Sequence, residues 1–188
     1  MSISTPAAKV QEILPQLFEA SLTPGKPYIQ FQLTEEITAL IPLEQVHESI
    51  IVEATEISLL PSMHESVMGI MNSRNHVFCV INLAQLLMLN ATTISSRQYQ
   101  IIVVRVSSDK TSSESSAKGD SFLGFAVSQL QGIARLTEAN LQPAKGNFPD
   151  SLNPYLRGAV IVEGQQILVL EPQAIAKTPS LYQLKSEN

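Results

Sequence analysis

The chain is short of three things: cysteine, basic charge and long apolar runs. Each shortage removes a class of function. Cys79 is the sole cysteine, so no intrachain disulfide can form and a reducing compartment fits. Lys and Arg number 12 against 17 Asp and Glu, a net charge of -5. That balance disfavours a nucleic-acid binder, which carries a basic stripe, and an anionic-membrane binder. Aromatics make up 5%, which leaves few platforms for stacking bases. No apolar stretch approaches the roughly 18 residues of a spanning helix, so no direct membrane insertion is expected. The N-terminus has neither the basic region nor the apolar region of a signal peptide. The expected location is cytoplasmic.

Catalytic chemistry is equally thin. His47, His64 and His76 stand 17 and 12 residues apart, with no Cys or carboxylate set at metal-ligand spacing. No Gly-x-Ser-x-Gly elbow is present, and Cys79 sits mid-strand in an apolar run where it reads as a small buried hydrophobe. The expectation is no enzyme, no metal and no cofactor. Met63, Met68, Met71 and Met88 read as core filling, with an adaptable partner face as the alternative for those near Arg74.

A duplicated unit is what the chain does contain. A gap-free shift of 89 positions lays Gly69 on Gly158, Asn75 on Gly164, Val80 on Val169, Asn82 on Glu171 and Leu86 on Ile175. Each copy pairs a glycine entering a strand with a turn former six residues on, the pattern of a β-hairpin. Gly69, Gly158 and Gly164 are therefore read as backbone requirements. Further upstream the offset is 84, with Leu43 on Val127, Gln45 on Gln129, Val46 on Leu130 and Glu48 on Gly132. The change implies about five extra residues in the second copy, placed in the Pro-, Asn- and Gly-rich stretch from Pro143 to Pro154.

Hydrophobic residues at 44% of 188 suffice for a core. Residues 1–27 form an N-terminal extension in which Val10, Leu14 and Leu17 have helical spacing interrupted by Pro15. Tyr28 to Leu33 reads as the first strand. Ile37 to Ile51, which contains Pro42, reads as one bent edge strand. Val67 to Leu83 is the first hairpin, followed by a helical turn at Ala84 to Leu89. The β-branched run Ile101–Val104 reads as a buried strand. Ser107 to Asp120 reads as a surface loop, Leu156 to Leu170 as the second hairpin and Pro172 to Ala176 as a short helix. Residues 177–188 form a tail. The fold class is all-β, with two small linked barrels as the economical architecture. The first half is placed at about 28–90 and the second at about 97–176.

These residues resemble the CheW family of chemotaxis coupling proteins. The family carries a proline, then Gly-Val-x-Asn-x-Arg-Gly, then an apolar strand ending in Asp-Leu. Pro61, Gly69, Asn72, Arg74 and Leu83 match it. Pro42 to Glu48 resembles the family's second strand and turn, and Leu156-Arg157-Gly158 its later glycine-bearing strand. The likeness runs from about Tyr28 to Ile175. Asn75 stands where the family has Gly, Asn82 where it has Asp and Ser73 where it has Leu. The resemblance implies two five-stranded, SH3-like barrels around a shared hydrophobic core. It implies a non-catalytic adaptor between the cytoplasmic tip of a chemoreceptor and the regulatory domain of a CheA-type histidine kinase. The departures lean toward variants serving twitching motility or phototaxis. The alternative from the residues alone is a small barrel holding a ligand in its mouth.

The partner-binding residues implied are Arg74, Glu48, Asn72 and Asn75. Asn72 is expected to brace the turn that carries Arg74. Arg74 is expected to meet a partner and no neighbour within the chain, so that Arg74→Ala would change stability by at most about 0.5 kcal/mol.

Overall fold

The computed structural model describes residues 25–89, 97–107, 121–145, 148–162 and 164–182. The helical spacing at Val10, Leu14 and Leu17, the 108–120 part of the polar loop and the end of the tail lie outside the described residues. In chain order the strands are β1 (Lys26–Gln32), β2 (Thr38–Pro42), β3 (Val46–Glu53), β4 (Val67–Ser73), β5 (His76–Asn82), β6 (Gln98–Val106), β7 (Ser121–Val127), β8 (Gln129–Leu136), β9 (Leu156–Val162) and β10 (Gln165–Leu170). Among the described residues two short helices, α1 (Leu83–Leu86) and α2 (Pro172–Ala176), follow the two hairpins.

Two five-stranded sheets form, in the orders β3-β6-β7-β5-β4 and β8-β1-β2-β10-β9. Each is closed by one antiparallel bridge between its edges. Ser58, just past β3, pairs with Ile70 of β4, and Gln142, just past β8, pairs with Ala159 of β9. Closure leaves fewer bare edges.

Barrel composition corrects the division into halves at 28–90 and 97–176. The first barrel is built from β3 to β7, and the second takes β1 and β2 from the front of the chain and β8 to β10 from the back. Each repeat therefore gives its first two strands to the other repeat's barrel. The seams are parallel pairings, β5 with β7 (Cys79↔Leu123) and β10 with β2 (Leu168↔Ala39).

The stretch Ile37 to Ile51 is not one bent edge strand. Pro42 ends β2, a 3-10 turn covers Leu43–Gln45, and β3 begins at Val46 in the other sheet. Pro42 opens that turn with φ -56°, the angle its ring enforces. β2 lies inside its sheet, between β1 and β10.

The described residues pack into three apolar clusters. One is the inside of the first barrel, with Met71, Phe78, Val80, Ile101 and Val103. Another is the inside of the second, with Tyr28, Leu40, Val160, Ile167 and Val169. The largest lies between them and includes Phe31, Ile81, Ile102, Val104, Phe125 and Leu168. Alternation along β6 sends Ile101 and Val103 into the barrel and Ile102 and Val104 into the shared core. A strand buried on both faces needs apolar residues at every position, which accounts for the unbroken β-branched run.

Candidate partner-binding site

The first hairpin carries the site. β4 and β5 run antiparallel to Ser73↔His76, which leaves Arg74 and Asn75 as a two-residue turn. Both have positive φ, 47° and 66°, as type I′ hairpin turns require. Asparagine tolerates that region, whereas an arginine there is strained. The turn geometry aims Arg74 off the tip of the barrel.

Glu48 reaches the same place from β3. The β3–β6 register passes from Val46↔Val104 to Glu48↔Val103, so His47 is an extra residue. A bulge of this kind bends the strand and redirects its side chains. The Glu48 side chain is 7% exposed, the Arg74 side chain 75%, and Arg74 Nε lies 2.9 Å from Glu48 Oε2. This corrects the expectation that Arg74 has no partner within the chain. The approach is off the hydrogen-bond direction. Neither Glu48 oxygen has a hydrogen-bond partner among the described residues, nor does buried His47 Nε2. Buried polar groups left in this condition are costly and call for an explanation.

His47, His76 and Phe122 back the pair. The two imidazoles meet edge to face at 5.3 Å, and Phe122 lies 4.7 Å from His47 and 4.4 Å from His76. Sequence gave no signal for this cluster, because β3, β5 and β7 bring together residues far apart in the chain. Beside it, between β3 and β8, runs a groove of about 480 Å³ lined by Ile29, Leu43, Val46, His47, Glu48, Leu130 and Ile133 among others. It joins the two barrels.

The other candidates divide. Asn72 is exposed on β4 opposite Val77 and makes no side-chain hydrogen bond among the described residues, so it does not brace the turn. The turn rests on the backbone angles of Arg74 and Asn75. Gly158 and Gly164 belong to the second barrel's hairpin, away from Arg74. Gly69 and Gly158 immediately precede the closing residues Ile70 and Ala159. A Cβ on Gly69 would sit 2.3 Å from Ser58 O, and one on Gly158 would sit 2.8 Å from Gln142 O, at φ 149° and 156°. Cys79 is half-buried, and burial pushes its thiol pKa up, which disfavours the thiolate. Met71 fills the first barrel and Met68 packs against it, but Met88 is exposed. No group of three or more His, Cys, Asp or Glu among the described residues could hold a metal ion. No helix among them is long and apolar enough to cross a membrane.

A family model described as a CheW-like domain matches residues 27–180. The chain belongs to the CheW-like family. A curated relative, chemotaxis protein CheW of Thermotoga maritima, is 24% identical over 143 residues, covering 76% of this chain and 82% of its own. The scaffolding protein TtCheW from Thermoanaerobacter tengcongensis has a crystal structure that superposes with a TM-score of 0.66 at 17% identity. The match covers 84% of this chain and 96% of that one. It bears out the two-barrel CheW-like fold.

Proposed function

We propose that this CheW-like chain is a cytoplasmic, non-catalytic adaptor that joins the tip of a chemoreceptor to the regulatory domain of a CheA-type histidine kinase. The observation that carries this reading is the groove between the barrels, with an exposed arginine at its head and a buried carboxylate whose oxygens lack hydrogen bonds. A groove with aliphatic walls and a few polar groups suits a protein segment that supplies donors to Glu48. Arg74 keeps most of its guanidinium open to a partner while its Nε faces Glu48, and Arg is a favoured interface residue for that planar fork. Glu48 and Arg74 are the contact residues we assign. Asn75 contributes through the turn and Asn72 through its exposed amide.

The departures at Ser73, Asn75 and Asn82 favour an output in twitching motility or phototaxis over flagellar rotation. The ligand-binding alternative is weaker, because both barrel interiors are packed with buried aliphatic and aromatic side chains. Capture experiments with a receptor-tip fragment and a kinase regulatory domain test the adaptor reading. It predicts a ternary complex that needs this chain to bridge the other two. Failure to bind either fragment would refute it.

A further inference from the structure

The groove between β3 and β8 is presented with its walls bare. Ile133 is 65% exposed beside Val46, Leu43 and Leu130, and Glu48 Oε1 and Oε2 await donors at the other end. We propose that residues 1–24 of this same chain occupy the groove and compete with its partner. The inference rests on reading the groove as the partner site.

Three observations point to this occupant. The family match begins at residue 27, so the segment is additional to the shared domain. Val10, Ile13, Leu14, Leu17 and Phe18, on either side of Pro15, supply apolar side chains to set against the groove's aliphatic walls. Reach is sufficient. The chain enters the described region at Gly25, and Lys26 pairs with Leu136 of β8. Ile133 lies three residues back along β8, about 10 Å at the strand rise. The eight residues from Leu17 to Gly25 span up to roughly 26 Å when extended.

The test uses the full chain with methyl labelling and no partner. Ile133 is exposed and Leu14 and Leu17 lie outside the described core, so substitutions there spare the barrels. Leu14→Asp with Leu17→Asp is expected to shift the methyl resonances of Ile133 and Val46. Ile133→Asp is expected to shift those of Leu14 and Leu17, at every protein concentration. A synthetic peptide of residues 1–24 added to the Leu14→Asp/Leu17→Asp chain should restore the original shifts. Absence of reciprocal shifts overturns the proposal, and so do shifts that vanish on dilution, which would mean a second copy is the occupant. A kinase regulatory-domain probe then separates the two readings. Tighter binding by the Leu14→Asp/Leu17→Asp chain, by about threefold or more, supports competition. Equal binding overturns competition and leaves the adaptor reading standing. Reciprocal shifts with no binding of kinase or receptor fragments refute the adaptor reading and leave the docking intact.

Discussion

The two hairpins are the same backbone carrying different side chains. Gly69↔Val80 in the first barrel repeats as Gly158↔Val169 in the second. Closure repeats with it, Ser58↔Ile70 matching Gln142↔Ala159. The helix caps repeat too. Asn82 Oδ1 accepts from Gln85 N, and Glu171 Oε1 from Gln173 N. The Asp-to-Asn departure at position 82 is thus harmless to structure, since the cap needs only an oxygen acceptor. What differs is the tip. Where the first barrel places Glu48 and Arg74, the second has Gly132 and, by register, Glu163. Duplication kept the parts that close a barrel and let the parts that meet a partner diverge. Function therefore lies in the unmatched positions.

The largest expected effects test the shared frame. Gly69→Ala and Gly158→Ala should each destabilise by about 2–4 kcal/mol, from a side chain forced to positive φ and driven into a carbonyl. Gly69→Ala should cost more. Its new Cβ meets Ser58 O at 2.3 Å, while that of Gly158 meets Gln142 O at 2.8 Å and a leucine side chain that can give way. Denaturant midpoints for both variants check the order. An undisturbed Gly69→Ala would mean closure does not depend on the glycine.

Next come the matched core positions. Val80 and Val169 are both fully buried, and each truncation to Ala should cost about 1–3 kcal/mol. Widely unequal losses would show that the two barrels are not equivalent in stability.

The tips should then part company. Arg74→Ala should destabilise by about 1–2 kcal/mol, because it strips the neighbouring charge from a buried carboxylate. This exceeds the change expected had Arg74 been free of the chain. Glu48→Gln removes the buried charge itself and should be close to neutral. Thermal melts of the two single variants and the double variant give the coupling directly.

The smallest effect is electrostatic and belongs to the second barrel. Lys26 Nζ lies 2.9 Å from Glu138 Oε1, with Arg157 at 3.8 Å. Its hydrogen bond and charge hold Glu138 below the usual carboxylate range, with Arg157 helping, and Glu138 in turn raises Lys26. A depressed carboxylate contributes stability that is present above its unfolded pKa and lost as pH falls through the folded value. The raised lysine contributes stability that is lost as pH climbs through its own. Both side chains are more than half exposed, so a pH series should show a slight acid loss that salt erases.

Much of this frame was legible in the residues. The jump in offset from 84 to 89 placed about five extra residues between Pro143 and Pro154. The bridges at Gln142 and Ala159 bracket that stretch, and Asp150–Tyr155 forms a 3-10 turn within it whose Leu152 is fully buried. The strand exchange was hidden, because a repeat period reports what is duplicated and not which sheet receives each strand. Pro42 marked a break without revealing that the chain changes sheets there. The Glu48–Arg74 pair was hidden for a related reason. β3 and β4 are opposite edges of their sheet, and they meet only when the barrel closes.

The central claim is that the first barrel's tip and groove serve a partner. Calorimetric affinity for a CheA-type regulatory domain and for a receptor-tip fragment tests it most directly, across wild type, Arg74→Ala, Glu48→Gln and Val169→Ala. Arg74→Ala should weaken binding to at least one of them by about 1–2 kcal/mol or more, as an interface hot spot does. Glu48→Gln should act more mildly, and Val169→Ala should leave affinity unchanged while lowering the melting temperature. An Arg74→Ala protein that melts lower yet binds both fragments as tightly as wild type would make the pair purely structural and contradict the account.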